Sequence, residues 1–167
     1  MKLYMKKLIN LSLVLVLFLL VSCGETETKT ISSTSVEMLE EYPMEGSNTV
    51  TGIWKVDLKA VDLNKIKNAK VTSINVEMVE PSQSDVITDI IMQLAASGAS
   101  MQRVGVLNPV PGDSKSFEMS IAEEQENLVD LLKQDEITFV ADVNLNTEPS
   151  NGFSIKTTIG FELEVKQ

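Results

Sequence analysis

The chain has 167 residues, 24 acidic against 14 basic, with a formal net charge of −10, one cysteine and no histidine. This composition excludes an intrachain disulfide, the ordinary zinc sites, a Ser-His-Asp triad and a histidine pH switch. The acid excess also repels nucleic-acid phosphates, so nucleic acid is not expected among its partners.

Lys2, Lys6 and Lys7 stand before an apolar run that begins near Leu8 and ends at Leu20-Val21-Ser22-Cys23. A basic start, a short apolar run and a small residue before a break make a secretory signal, because the run is shorter than the ~20 residues that span a bilayer as a helix. The order Leu, Val, Ser, Cys resembles the lipobox of bacterial lipoprotein precursors. That resemblance implies cleavage before Cys23, so that residues 1–22 are a signal peptide and the new N-terminal Cys23 is the lipidation site. An acylated Cys23 has no free thiol and supports neither redox chemistry nor nucleophilic catalysis. The implied location is the cell envelope, lipid-anchored, with the outer membrane expected, on its periplasmic face or at the cell surface.

Removal of residues 1–22 takes three lysines with it and leaves 145 residues, 11 basic against 24 acidic, a balance of −13. One domain with a hydrophobic core fits that length. Its hold on the membrane is expected to come from acyl chains on Cys23, since so acidic a chain is repelled by anionic head groups. From Gly24 to Ser35, GETETKTISSTS contains almost no large apolar side chain, so residues 23–35 are predicted to be a flexible tether. Gly24 departs from the aspartate of the best-known inner-membrane retention signal.

From Val36 onward period-two alternation dominates, the pattern of strands with one buried face. Val36 and Met38 predict a short strand ended by Tyr42-Pro43. Val50, Gly52, Trp54, Val56, Leu58 and Ala60 then share one face, and Thr72, Ile74, Val76 and Met78 another, until Pro81. Residues 82–96 read two ways. Ser82 and Asp85 suit a capping box ahead of apolar residues at helical spacing, whereas the β-branched content and the Ser97-Gly98 turn suit a hairpin. The reading adopted is one helical turn over 83–88 followed by a hairpin. After the Asn108–Asp113 loop, Phe117, Met119 and Ile121 predict a strand. Ser120 and Glu123 then predict a capped connecting helix with Leu128, Leu131 and Leu132 on its apolar face. Ile137–Leu145 and Phe153–Val165 alternate on either side of a Glu148–Gly152 turn, predicting a long antiparallel hairpin with a kink or bulge at Gly160.

Seven or eight strands with one short connecting helix predict an all-β domain over 36–167, an immunoglobulin-like or Greek-key β-sandwich. The order NKIKNAKVTSINVEM, Ser97-Gly98 hairpin, NPVPG loop, NLVDLLKQ and terminal hairpin resembles small all-β envelope lipoproteins, which commonly lack an assigned activity.

Few residues invite chemistry. Asp142, Asn144, Asn146 and Glu148 begin like a calcium loop, but Thr147 and Phe153 occupy the places of its glycine and its bidentate glutamate. Strand alternation explains the same residues as a solvent face, and no metal site is assigned. Trp54 is in phase with Val56 and Leu58 and is expected in the core, leaving Tyr42 as the one exposed aromatic candidate for ligand contact. No catalytic residue and no cofactor is assigned, and the protein is not expected to be an enzyme. The reading is a membrane-anchored, non-enzymatic binding or structural accessory domain with an envelope protein as partner. The alternatives are a carrier of a small apolar ligand between the sheets or, further off, a hydrolase built on a carboxylate pair.

Overall fold

Period-two alternation becomes two facing antiparallel sheets in the computed structural model, which describes residues 25–58, 61–112, 114–149 and 151–167. Sheet 1 holds β1 (Thr26–Ser32), β2 (Val36–Glu40), β4 (Ile66–Met78), β7 (Ser116–Glu118) and β10 (Phe153–Lys166). Sheet 2 holds β3 (Gly46–Lys55), β5 (Ile87–Ala96), β6 (Ala99–Leu107), β8 (Ser120–Ile121) and β9 (Glu136–Leu145). One four-residue helix, α1 (Val129–Leu132), lies between β8 and β9. The neighbour orders β2-β10-β4-β7 and β3-β9-β5-β6 are those of a jelly roll, the double Greek-key form of the β-sandwich. β1 and β2 lie end to end along one edge of β10, so the predicted seven or eight strands become ten through short additions at sheet edges.

The longer strands β3, β4, β5, β9 and β10 contribute most of the inward side chains of one core. Trp54 of sheet 2 is 2% exposed, stacked on Phe161 of sheet 1 at a centroid separation of 5.5 Å and tilted against Phe139 at 6.3 Å. Its expected place in the core is therefore the observed one. Met38, Ile74, Met92, Leu94, Ile155 and Ile159 fill the layer around it with no accessible surface. Those side chains occupy the space between the sheets that an apolar ligand would need, and a filled interior is the ordinary state of a protein core. The sheets approach closely beside β2, where a Cβ on Gly52 would meet Val36, Met38 and the Glu37 carbonyl oxygen.

Several expectations are corrected. β9 and β10 are not a hairpin: β9 pairs with β3 and β5, whereas β10 pairs with β1, β2 and β4. Alternation reports that a strand has a buried face, and two strands facing each other across a core carry the same signal as two paired side by side. The predicted tether is also replaced over most of its length, because Thr26–Ser32 is β1, paired residue for residue with Ser32 opposite Gly160 and Thr26 opposite Lys166. Backbone hydrogen bonds hold this strand, and its side chains are mostly exposed. Thr72 points to solvent. It is the extra residue where Val71 pairs with Phe161 and Ser73 with Gly160, a bulge that resets the inward phase to Ile74. Gly160 sits at that bulge, as predicted, with its α-carbon against the Ser73 hydroxyl.

The helix expected from Ser120 shrinks to α1. Ser120 lies in β8, and the cap position before α1, Leu128, makes no side-chain cap bond. The intervening residues serve β4 instead. Gln125 accepts from Val71 N–H at 2.8 Å and donates to Val71 C=O at 3.0 Å, while Asn127 accepts from Ala69 N–H at 3.1 Å and donates to Lys67 C=O at 3.0 Å. These amides act as a substitute strand along the part of β4 that β7, paired only with Asn75–Glu77, does not reach. Asn127 also accepts from Val129 N–H at 3.1 Å, which starts α1. Asn127→Ala is expected to cost about 1–3 kcal/mol through the amides it strands, read as a lower urea midpoint. An unchanged midpoint would show that water replaces the side chain without loss.

Residues 82–96 resolve in favour of the reading adopted, as a 3-10 turn over Pro81–Val86 followed by the β5–β6 hairpin, whose turn places Gly98 at φ 77°. One buried hydroxyl stands apart. Thr157 has no accessible surface, and its Oγ1 makes no hydrogen bond among the described residues. Thr157→Val removes an unsatisfied polar group at nearly constant shape, and a gain of about 1 kcal/mol, or about 2–4 °C in melting temperature, is expected. A loss on calorimetry would mean that the hydroxyl has a partner.

Candidate functional site

Cys23, the one residue assigned a role from sequence, lies outside the described residues, as does the apolar run before it. Where the described chain starts is nevertheless fixed. The Glu25 carbonyl accepts from Gln167 N–H at 3.1 Å, and Thr26 pairs with Lys166. The chain therefore enters the fold at one end of the sandwich, beside its last residue. The same end carries Ile66 at the start of β4, opposite Val165 of β10, and the Lys55–Glu136 pair of β3 and β9. Val56 N–H donates to Asp135 C=O at 2.9 Å, joining the β3–β4 connection to the residues after α1. A shallow cleft of about 510 Å³ opens here, with Val56, Leu58, Val61 and Leu63 as its apolar part and Lys55 and Lys133 at its margin.

The outer face of sheet 2 holds the other sequence candidates. Asp142 on β9 accepts from Thr49 Oγ1 at 2.7 Å and from Gln93 Nε2 at 2.8 Å, which links β3, β9 and β5 in one polar row. Asn144 Nδ2 donates to Asp89 Oδ1 at 2.8 Å, and Thr88 Oγ1 donates to Asp89 Oδ2 at 2.9 Å. Asn146 donates from its backbone to Val86 C=O. These residues tie strands together and do not converge on a common point. Cross-strand pairs of this kind are worth a few tenths to about 1 kcal/mol each. On the outer face of sheet 1, Lys70 meets Glu162 at 2.8 Å, and that hydrogen bond raises the lysine above its ordinary range. The pair is open to solvent and weakens with salt.

No protein-family model matches the chain, and no curated protein sequence is similar to it. Among solved structures, it is similar to one titled Desmodium yellow mottle tymovirus, at 12% identity and a TM-score of 0.34, over 86% of this chain and 91% of that one. A structure of infectious bursal disease virus aligns at 11% identity and a TM-score of 0.43, over 85% of this chain and 33% of that chain. The xylan-binding module CBM86 of Roseburia intestinalis aligns at 10% identity and a TM-score of 0.30, over 84% and 96%.

The end opposite the chain start presents a different surface. Leu39 is 56% exposed, Tyr42 84% and Met44 66%. Asn48 holds this corner in shape: its Oδ1 accepts from Met44 N–H at 2.9 Å and its Nδ2 donates to the Met44 and Gly46 carbonyls at 2.8 and 3.1 Å. Tyr42 is thus exposed as expected, on a corner whose neighbours are pinned. Sequence reading missed Asn48, Gln125 and Asn127. Their one signal is a polar amide beside a strand end, and many solvated asparagines share it.

Proposed function

We propose that this protein is a lipid-anchored component of a bacterial cell envelope, a non-enzymatic β-sandwich that binds or stabilises another envelope protein. The observation that carries the reading is Leu20-Val21-Ser22-Cys23 at the end of a basic-then-apolar leader, two residues before the folded chain begins. Cys23 carries the acyl chains, and the membrane concerned is the outer membrane. Each buried CH₂ contributes about 0.8 kcal/mol, so two or three chains hold the domain at the bilayer and raise its effective concentration beside any partner there.

Partner binding falls to surface rather than to a catalytic centre. The sequence has no histidine, and its one cysteine is consumed by acylation. The pinned corner bearing Leu39, Tyr42 and Met44 supplies apolar contact area at little ordering cost, which is what a protein interface needs. In-cell crosslinking from a photoreactive residue at Tyr42, followed by mass spectrometry, is expected to recover one reproducible envelope protein. Repeated recovery of nothing, from cells in which the protein is abundant, would count against a binding role. Protease shaving of intact cells reads the leaflet: loss of the domain places it at the surface, and survival places it in the periplasm.

A further inference from the structure

The position of β1 fixes which surface of the domain faces a membrane. Glu25 is held by Gln167, so Gly24 alone separates the acylated Cys23 from the fold. Two Cα–Cα steps reach at most about 7 Å. A tether of that length cannot hold the domain away from the head groups. We infer that the end of the sandwich beside Glu25 and Gln167 seats directly on the bilayer surface, with the Leu39–Tyr42–Met44 corner pointing away from it. The inference rests on the lipoprotein reading and adds to it an orientation.

Charge distribution supports this docking. Lys55, Lys65, Lys67, Lys133 and Lys166 all lie at the chain-start end, interleaved with Glu25, Asp57, Asp62, Asp130, Asp135 and Glu136, so this end is close to neutral in a strongly acidic protein. The described loop residues of the opposite end, 41–45, 79–86, 108–112, 114–115, 146–149 and 151–152, carry Glu41, Glu45, Glu80, Asp85 and Glu148 against a single Lys115. An anionic surface therefore repels one end and tolerates the other. Lysine stems can lie along the apolar side chains of the Val56–Leu63 cleft while their ammonium groups reach phosphate. β10 has 14 residues, which at about 3.3 Å each sets the acidic loops about 45 Å farther out.

The acylated mature protein, placed in vesicles of phosphatidylcholine and phosphatidylglycerol with nitroxide-labelled head groups, tests this. A fluorophore at Lys133→Cys should be quenched several-fold more than one at Glu45→Cys, and a long Gly/Ser insertion after Gly24 should abolish the difference. Equal quenching at the two sites, in protein whose mass includes the acyl chains, overturns the seating and leaves the lipoprotein reading intact. A mass without acyl chains overturns both.

Discussion

Cys23→Ala moves the protein from the membrane fraction to the soluble fraction and abolishes palmitate labelling. The expected change is close to complete, because a chain of this acidity has no compensating attraction for anionic lipid. The released protein should keep its fold. Cys23 precedes the first backbone bond of β1, and the core from Val36 to Val165 does not depend on it. Circular dichroism and a urea titration of the released material check this, with an unchanged midpoint expected. Persistence of Cys23→Ala in carbonate-washed membranes would show that something other than acyl chains holds the domain, and the anchoring proposal would fail.

Trp54→Ala is the largest single loss expected in the domain, about 3–5 kcal/mol. The indole stacks across the core on Phe161 of the other sheet, tilts against Phe139 of its own sheet and is almost fully buried, so its removal empties the centre of the core and severs an aromatic contact between the layers. Against a typical total of about 5–15 kcal/mol, this is a third or more of the stability of a modest domain. Urea unfolding followed by circular dichroism should show a lower midpoint with little change in slope. Trp54→Phe, which keeps most of the buried area, should recover more than half of the loss. Equal midpoints for wild type and Trp54→Ala would mean that the stack contributes nothing.

How far this architecture is legible in the sequence depends on which force shapes each element. Burial leaves a periodic trace, and so β3 and the core position of Trp54 can be read from spacing, whereas the β5–β6 hairpin is read from β-branched content and the Ser97-Gly98 turn against a competing helical spacing. Pairing leaves none. β9 and β10 each display a buried face, and nothing in their alternation says that they face each other across the core instead of joining edge to edge. β1 is invisible for the opposite reason. Its TETKTIS sequence buries little, and what holds it is a ladder of backbone bonds to β10 that any sequence can make. The bulge at Thr72 belongs to a third class, because one extra residue breaks the phase and makes a true strand look misassigned. The candidate site divides in the same way. Cys23 is carried by a local motif, whereas the surface proposed to meet a membrane depends on where the chain enters the fold, which no local pattern encodes.

β10 lies in the middle of sheet 1, between the β1–β2 edge and β4, and it is the final strand of the chain. Before β10 is made, β1 and β2 therefore have no strand partner in sheet 1, and β4 has only its short pairing with β7. Among the described strands only β5 and β6 are consecutive and paired with each other, so the other pairings wait on more distant chain. A polypeptide built this way cannot complete sheet 1 until β10 is made. Truncation before Phe153 is then expected to leave an unfolded, protease-sensitive product, since what is lost is the spine of one whole sheet.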